Sequence, residues 1–282
     1  MKKNRLVLLT LMITALFVFP VFAEGEEENL EDMPTTVDET ANESEPEPNM
    51  PEIKKESTYF GVVDIWGGYT TLAMGKVNDM LGENTLYPNG TTTKITGGYV
   101  LGVDLGFMLI KDLPLALGLR VELIGSTQGK FTGDLGITST SLTLDSSLIP
   151  IMAGASYTFE IPETQISVSA DLYAGYSIAK ATYVNDSKLF GVGDKITSVY
   201  NGSAFTLDIG ATVNYQINEP TSAGITLGYR TANVASMTAD KDVVVNSVTV
   251  INKGDKFEDS GNNTVPFDFS GFNIGVNVDM KY

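Results

Sequence analysis

Seven charged residues stand where a charge has to find a partner: Asp64, Asp104, Arg120, Glu122, Asp171, Asp208 and Arg230. Each falls on the polar phase of a stretch whose alternate residues are apolar, so all seven point away from the apolar face. Five carboxylates and two guanidiniums can pair, hold a cation, or move protons. The last two readings find little support. The chain has no histidine and no cysteine, so a histidine-assisted serine or thiol nucleophile is impossible. The carboxylates are spread over different stretches instead of being gathered by a turn into a metal ligand set. Residues Asp255 to Thr264 (DKFEDSGNNT) lack the spacing and terminal glutamate of a calcium-binding loop. No phosphate-binding or dinucleotide signature with strand-to-helix context occurs. No catalytic, cofactor-binding or metal site is therefore expected, and pairing remains.

Strands must position these charges. The last stretch alternates most strictly: Phe272, Ile274, Val276, Val278, Met280 and Tyr282 on one face, Asn273, Gly275, Asn277, Asp279 and Lys281 on the other. Seven more stretches alternate in the same way, over residues 59–69, 95–110, 115–123, 148–159, 166–178, 205–217 and 223–230. The links after the second, fourth and sixth are short (KDLP, EIPETQ, NEPTS), and those after the first, third, fifth and seventh are long. Short turns at one end and long loops at the other are what a membrane-spanning barrel requires; a soluble sandwich gives no reason for them. If the strands alternate in direction, Tyr59, Phe107, Tyr157, Phe159, Tyr215 and Tyr282 gather at the short-turn edge, and Tyr69, Tyr99, Tyr176, Phe205, Tyr229 and Phe272 at the other. Aromatic rings prefer these two headgroup levels.

Taken together, these residues resemble Gram-negative outer-membrane β-barrel proteins. The closing strand is similar to the C-terminal strand of that family, ending on an aromatic residue, and the set of eight resembles the small attachment and opacity-type barrels. The resemblance implies an all-β, eight-stranded antiparallel up-and-down transmembrane β-barrel over residues 57–282, monomeric and surrounded by outer-membrane lipid. It also implies recognition of Phe272, Ile274, Val276, Val278, Met280 and Tyr282 by the barrel assembly machinery, with the C-terminus in the periplasm. A surface role follows: adhesion, resistance to host defence, or structural support of the membrane, with a host or cell-surface ligand at the extracellular loops and no nucleic-acid partner. The enzymes known on this scaffold depend on histidine, so the expected function is not enzymatic. The competing expectation is a small pore for solutes, leaning toward cations because inward carboxylates outnumber inward arginines.

The chain opens with Lys2, Lys3 and Arg5, an apolar run from Leu6 to Phe19, and Val21-Phe22-Ala23 before an acidic stretch. This pattern predicts a secretory signal over residues 1–23. The run is shorter than the roughly 20 residues of a spanning helix. From Glu24 to Ser57 there are 13 acidic residues against two lysines, with four prolines. Such a segment cannot bury enough surface to offset its ordering entropy, and residues 24–56 are expected to be a disordered periplasmic linker. Within the loops, Met74, Val77 and Leu81 have helical spacing, residues 242–252 alternate like a strand, and the Asn-Gly pairs at Asn89 and Asn201 read as turns. The short KDLP link limits the register of the second and third strands, so that Asp104 faces either Arg120 or Glu122. Two carboxylates repel, which selects Asp104 with Arg120. The NEPTS link brings Asp208 beside Arg230 by the same reasoning. An eight-stranded lumen is narrow enough to be filled by such side chains, and these pairs are expected to block it.

Overall fold

The structure, a computed structural model, describes residues 59–83, 87–108 and 114–282. The expected signal, the acidic linker, the barrel start at 57–58 and residues 111–113 of the KDLP link lie outside the described residues.

Eight strands form a closed ring. They are β1 (Gly61–Thr71), β3 (Gly97–Met108), β4 (Leu115–Ser126), β6 (Thr138–Glu160), β7 (Ile166–Leu189), β8 (Val192–Gln216), β9 (Thr221–Val234) and β14 (Gly271–Lys281). Each pairs antiparallel with the next, and β14 returns to β1, where Asp64 meets Asp279 and Trp66 meets Asn277. Closure leaves no unpaired edge among these strands, which is the condition for crossing lipid with strands. Between β4 and β6 the ladder skips Glu122 and Leu123, opposite Pro150 and Ile149, because proline has no N–H to donate.

Polarity is inverted relative to a soluble protein. Leu101, Leu119, Ile151, Leu172, Ile225 and Ile274 are exposed outside, while Thr206, Asp208, Asn214, Thr226, Arg230 and Asn277 are buried inside. Water would not tolerate this arrangement, but hydrocarbon around a polar lumen does. Phe272, Ile274, Val276, Val278 and Met280 of β14, and Tyr282 just after it, follow the same phase, with Phe272 67% exposed. Cross-strand register places Tyr69 beside Tyr99, Tyr176 beside Phe205, and Tyr229 beside Phe272, completing the outer aromatic girdle. Ile225→Arg, between Val213 and Val276 at mid-belt, is expected to cost about 2–4 kcal/mol in vesicles. Val248→Lys, far out on a loop, should cost under about 0.5 kcal/mol. Urea titration of the refolded proteins measures both, and equal effects would contradict the inside–outside assignment.

Beyond the belt, the loops are more regular than their lengths suggest. β6, β7 and β8 are 23, 24 and 25 residues long, more than twice the 9–11 needed to span. The surplus continues as sheet past the outer girdle. The link expected to be long between the fifth and sixth strands is instead a two-residue turn, Phe190-Gly191, with φ of 51° and 78°, the signature of a primed hairpin turn. For the same reason Asn201 is not a turn. It lies inside β8, paired with Lys180 and Thr238, because the ladder on both sides outweighs the local Asn-Gly preference. Asn89 does lie in a turn. The second long link contains β5 (Gly129–Asp134), which pairs with β6 and with β2 (Thr91–Thr93). In the fourth, β11 (Val243–Val245) and β12 (Val248–Ile251) form a separate hairpin, β10 (Met237–Ala239) joins β8, and β13 (Phe267–Asp268) joins β9.

Helix α1 (Gly75–Gly82) buries Val77 and Leu81, the residues whose spacing predicts it. Its Asn78 brackets the backbone of Ile95, donating to the carbonyl and accepting from the N–H at 2.8 Å each. Met74, Val77, Leu81 and Ile95 join one apolar cluster with the inward residues Val100, Ile124 and Leu148 at the loop end of the strands. Phe257, Val265, Phe267 and Phe269 enter the same cluster from the fourth loop, with Phe257 edge-on to Tyr183, Tyr200 and Phe267. The outer half of the lumen is therefore filled by an apolar core. Asp259 lies outside it in its own tight turn. Its carboxylate accepts the backbone N–H of Asn263 and of Gly261, and these bonds, Asn263 foremost, hold its carboxyl below the usual range. The Asp259 carboxylate is thus occupied by its own chain.

Candidate functional site in the barrel lumen

Alternation on two neighbouring strands, β3 and β4, sends Asp104, Arg120 and Glu122 inward below the apolar cluster, and barrel closure brings residues from the far wall to meet them. Arg120 forks onto Asp104, with Nε donating at 2.9 and 3.0 Å and Nη2 at 2.6 Å. Its Nη1 reaches across the lumen to Asp208 at 2.9 Å, and Asp171 stands 4.0 Å away. The guanidinium lies over Tyr173, 4.1 Å from the ring centre, with Trp66 at 5.6 Å. A planar, delocalised cation suits both the carboxylate fork and the aromatic faces. The Asp104 and Arg120 backbones are direct register partners, as the link length predicts.

The second arginine departs from expectation. Asp208 and Arg230 are register partners, yet the Asp208 carboxylate turns to Arg120 and to Asn273, which donates at 3.3 Å. Arg230 instead donates to Glu122 at 3.3 Å, to Thr70 at 3.0 Å, and to the Phe269 carbonyl at 3.3 and 3.4 Å. The reason is curvature. Across a narrow closed lumen a long side chain reaches the opposite wall, and a register argument sees only adjacent strands. Arg230 thereby joins the charged layer to the incoming fourth loop through a backbone carbonyl. Hydroxyl and amide pairs line the walls below, Thr212 with Thr226 at 3.1 Å and Asn277 with Asn214 at 3.0 Å.

Asp64 is left out of the network. It has no cation within ion-pair distance among the described residues, and its register partners on both sides are acidic, Asp104 and Asp279. Below it, at the short-turn end, lies a cavity of about 690 Å³ bordered by Asp64, Asp104, Asp171, Tyr173 and Asp279. Sequence reasoning missed Trp66, Tyr173, Asp279 and the Phe269 carbonyl. Asp279 was legible as a polar-phase residue of the last strand. The other three needed the curvature of the closed sheet. Among the described residues no group of three acidic, histidine or cysteine side chains is arranged to hold a metal ion.

Comparison with known proteins gives likeness of shape. No protein-family model matches the sequence, and no curated protein does. Among solved structures, the outer membrane protein OprG from Pseudomonas aeruginosa is 15% identical over 80% of this chain and 98% of its own, with a TM-score of 0.38. A major outer membrane protein from Thermus thermophilus is 13% identical over 79% and 99%, at 0.43. The outer membrane protease OmpT from Escherichia coli is 8% identical over 79% and 95%, at 0.39. The observation that decides is the closed ring of eight strands with apolar residues outside and charges inside. The fold is that of an outer-membrane β-barrel. A fold by itself does not fix an activity, so what this chain does rests on its lumen and its loops.

Proposed function

We propose that this barrel is a non-enzymatic surface protein of a Gram-negative type outer membrane, with its short turns in the periplasm and its extended β-sheet outside the cell to meet a partner. The observation that carries the reading is the closed outer lumen. Arg120 and Arg230 cross-link the walls, and the apolar cluster with Phe267 and Phe269 lies above them, which supports a role for the sheet beyond the belt over a passage inside. At its tip Leu135, Ile137, Leu189, Phe190 and Val192 are all exposed, and the Phe190 N–H donates to the Ile137 carbonyl at 2.7 Å, tying two tips together. Apolar side chains gathered in this way mark an interaction surface. Phe190 also holds a φ of 51°, strain of the kind retained where a side chain must be displayed. Charges of both signs are interspersed on the loops, so apolar contact, not attraction to a polyanion, supports the reading.

The test joins two measurements. Phe190→Asn with Val192→Ser should abolish binding of cells bearing the protein to target surfaces while leaving the barrel folded, and the unmodified protein in a planar bilayer should show no steady conductance. Unchanged binding together with large, stable channels would replace this reading by the small cation-leaning pore.

A further inference from the structure

We propose that the cavity at the short-turn end of the lumen is a binding site for a small organic polycation carrying primary amines. Three observations converge on it. The space is about 690 Å³, within the range of small-molecule sites, and its inner end is closed by the Asp104 and Arg120 layer. Its wall carries more carboxylate than the structure neutralises. Asp104 is satisfied by Arg120 and Asp279 accepts from Asn277 and Asn214, but the buried Oδ1 of Asp64 has no hydrogen-bond partner among the described residues. A carboxylate so placed, with acidic neighbours on both strands, calls for a counter-charge. The third observation is independent of charge. Tyr173 is 3% exposed and lines the cavity, and its hydroxyl makes no hydrogen bond among the described residues. An amine that donates to Asp64 can also engage this hydroxyl, and the Tyr173 ring already carries the Arg120 guanidinium over its face.

A compact metal ion fits the cavity less well, because among the described residues no three acidic groups converge on a point. A flexible aliphatic amine meets the separated carboxylates one nitrogen at a time. Each primary ammonium has three donors, one for a carboxylate and two for the Ser169, Ser222 or Thr212 hydroxyl or the Asn214 amide oxygen lining the same cavity.

The experiment is calorimetric titration of the full chain, folded in detergent micelles, with spermidine, with its fully acetylated neutral derivative, and with magnesium. The proposal expects spermidine to bind with one site, the acetylated compound not to bind, and magnesium to compete only weakly. Asp64→Asn should weaken spermidine about tenfold or more, and Tyr173→Phe, which keeps the ring and removes only the hydroxyl, should weaken it about threefold to tenfold. The heat-dependent shift in gel mobility of folded barrels verifies that both variants are folded. Spermidine binding unchanged in Asp64→Asn would place it on the acidic residues 24–56 and overturn the proposal. So would displacement by equimolar magnesium, or no binding at all, the last meaning that a proton shared between Asp64 and Asp279 balances the charge.

Discussion

Arg120→Ala should lower the stability of the refolded barrel by about 3–5 kcal/mol, because it strands Asp104 and Asp208 in the lumen with no cation between them. The side chain is only 4% exposed and is the shared partner of both carboxylates, while Arg230, the register partner of Asp208, is held by Glu122, Thr70 and the Phe269 carbonyl. The loss should show as a lower urea midpoint in lipid vesicles, and as cation leakage in a planar bilayer, since the same substitution removes the bar between the walls. Two further variants separate charge from packing. Arg120→Ala with Asp208→Asn should recover part of the loss, because one stranded charge has been removed. Arg120→Lys should recover less than its charge suggests, because an ammonium can neither fork onto Asp104 nor stack on Tyr173. A change below about 1 kcal/mol for Arg120→Ala would mean that trapped water solvates the carboxylates and that the arginine is not the bar.

Phe267→Ala should cost about 3–5 kcal/mol as well, through a cavity instead of a charge. Phe267 is fully buried between Phe257 and the inward wall, and it lies two residues before the Phe269 carbonyl that accepts from Arg230. Its removal should loosen the whole return of the fourth loop. Residues 253–266 should become cleavable by protease on intact cells, while the girdle and the strands below remain protected. If instead the loop stays resistant and the urea midpoint does not move, the apolar cluster does not hold the outer lumen shut.

The sequence by itself determined the eight barrel strands, their faces and their girdles, because period-two alternation is a local property that survives any tertiary arrangement. It determined the Asp104 and Arg120 pair too, since a four-residue link leaves few registers and electrostatics chooses among them. Helix α1 was legible from Val77 and Leu81 for the same local reason. Where ladders extend past the membrane, local signals mislead: Asn201-Gly202 has the composition of a turn, yet it runs straight through β8 because hydrogen bonds on both flanks outweigh a two-residue preference. The tertiary structure alone decided that Asp208 belongs to Arg120 and Glu122 to Arg230, that Phe267 and Phe269 return to fill the outer lumen, and that Asp64 faces Asp279 across the closing seam. These contacts join residues 39 to 215 positions apart in the chain. They depend on how far the sheet curls before it meets itself, a quantity carried by no single strand.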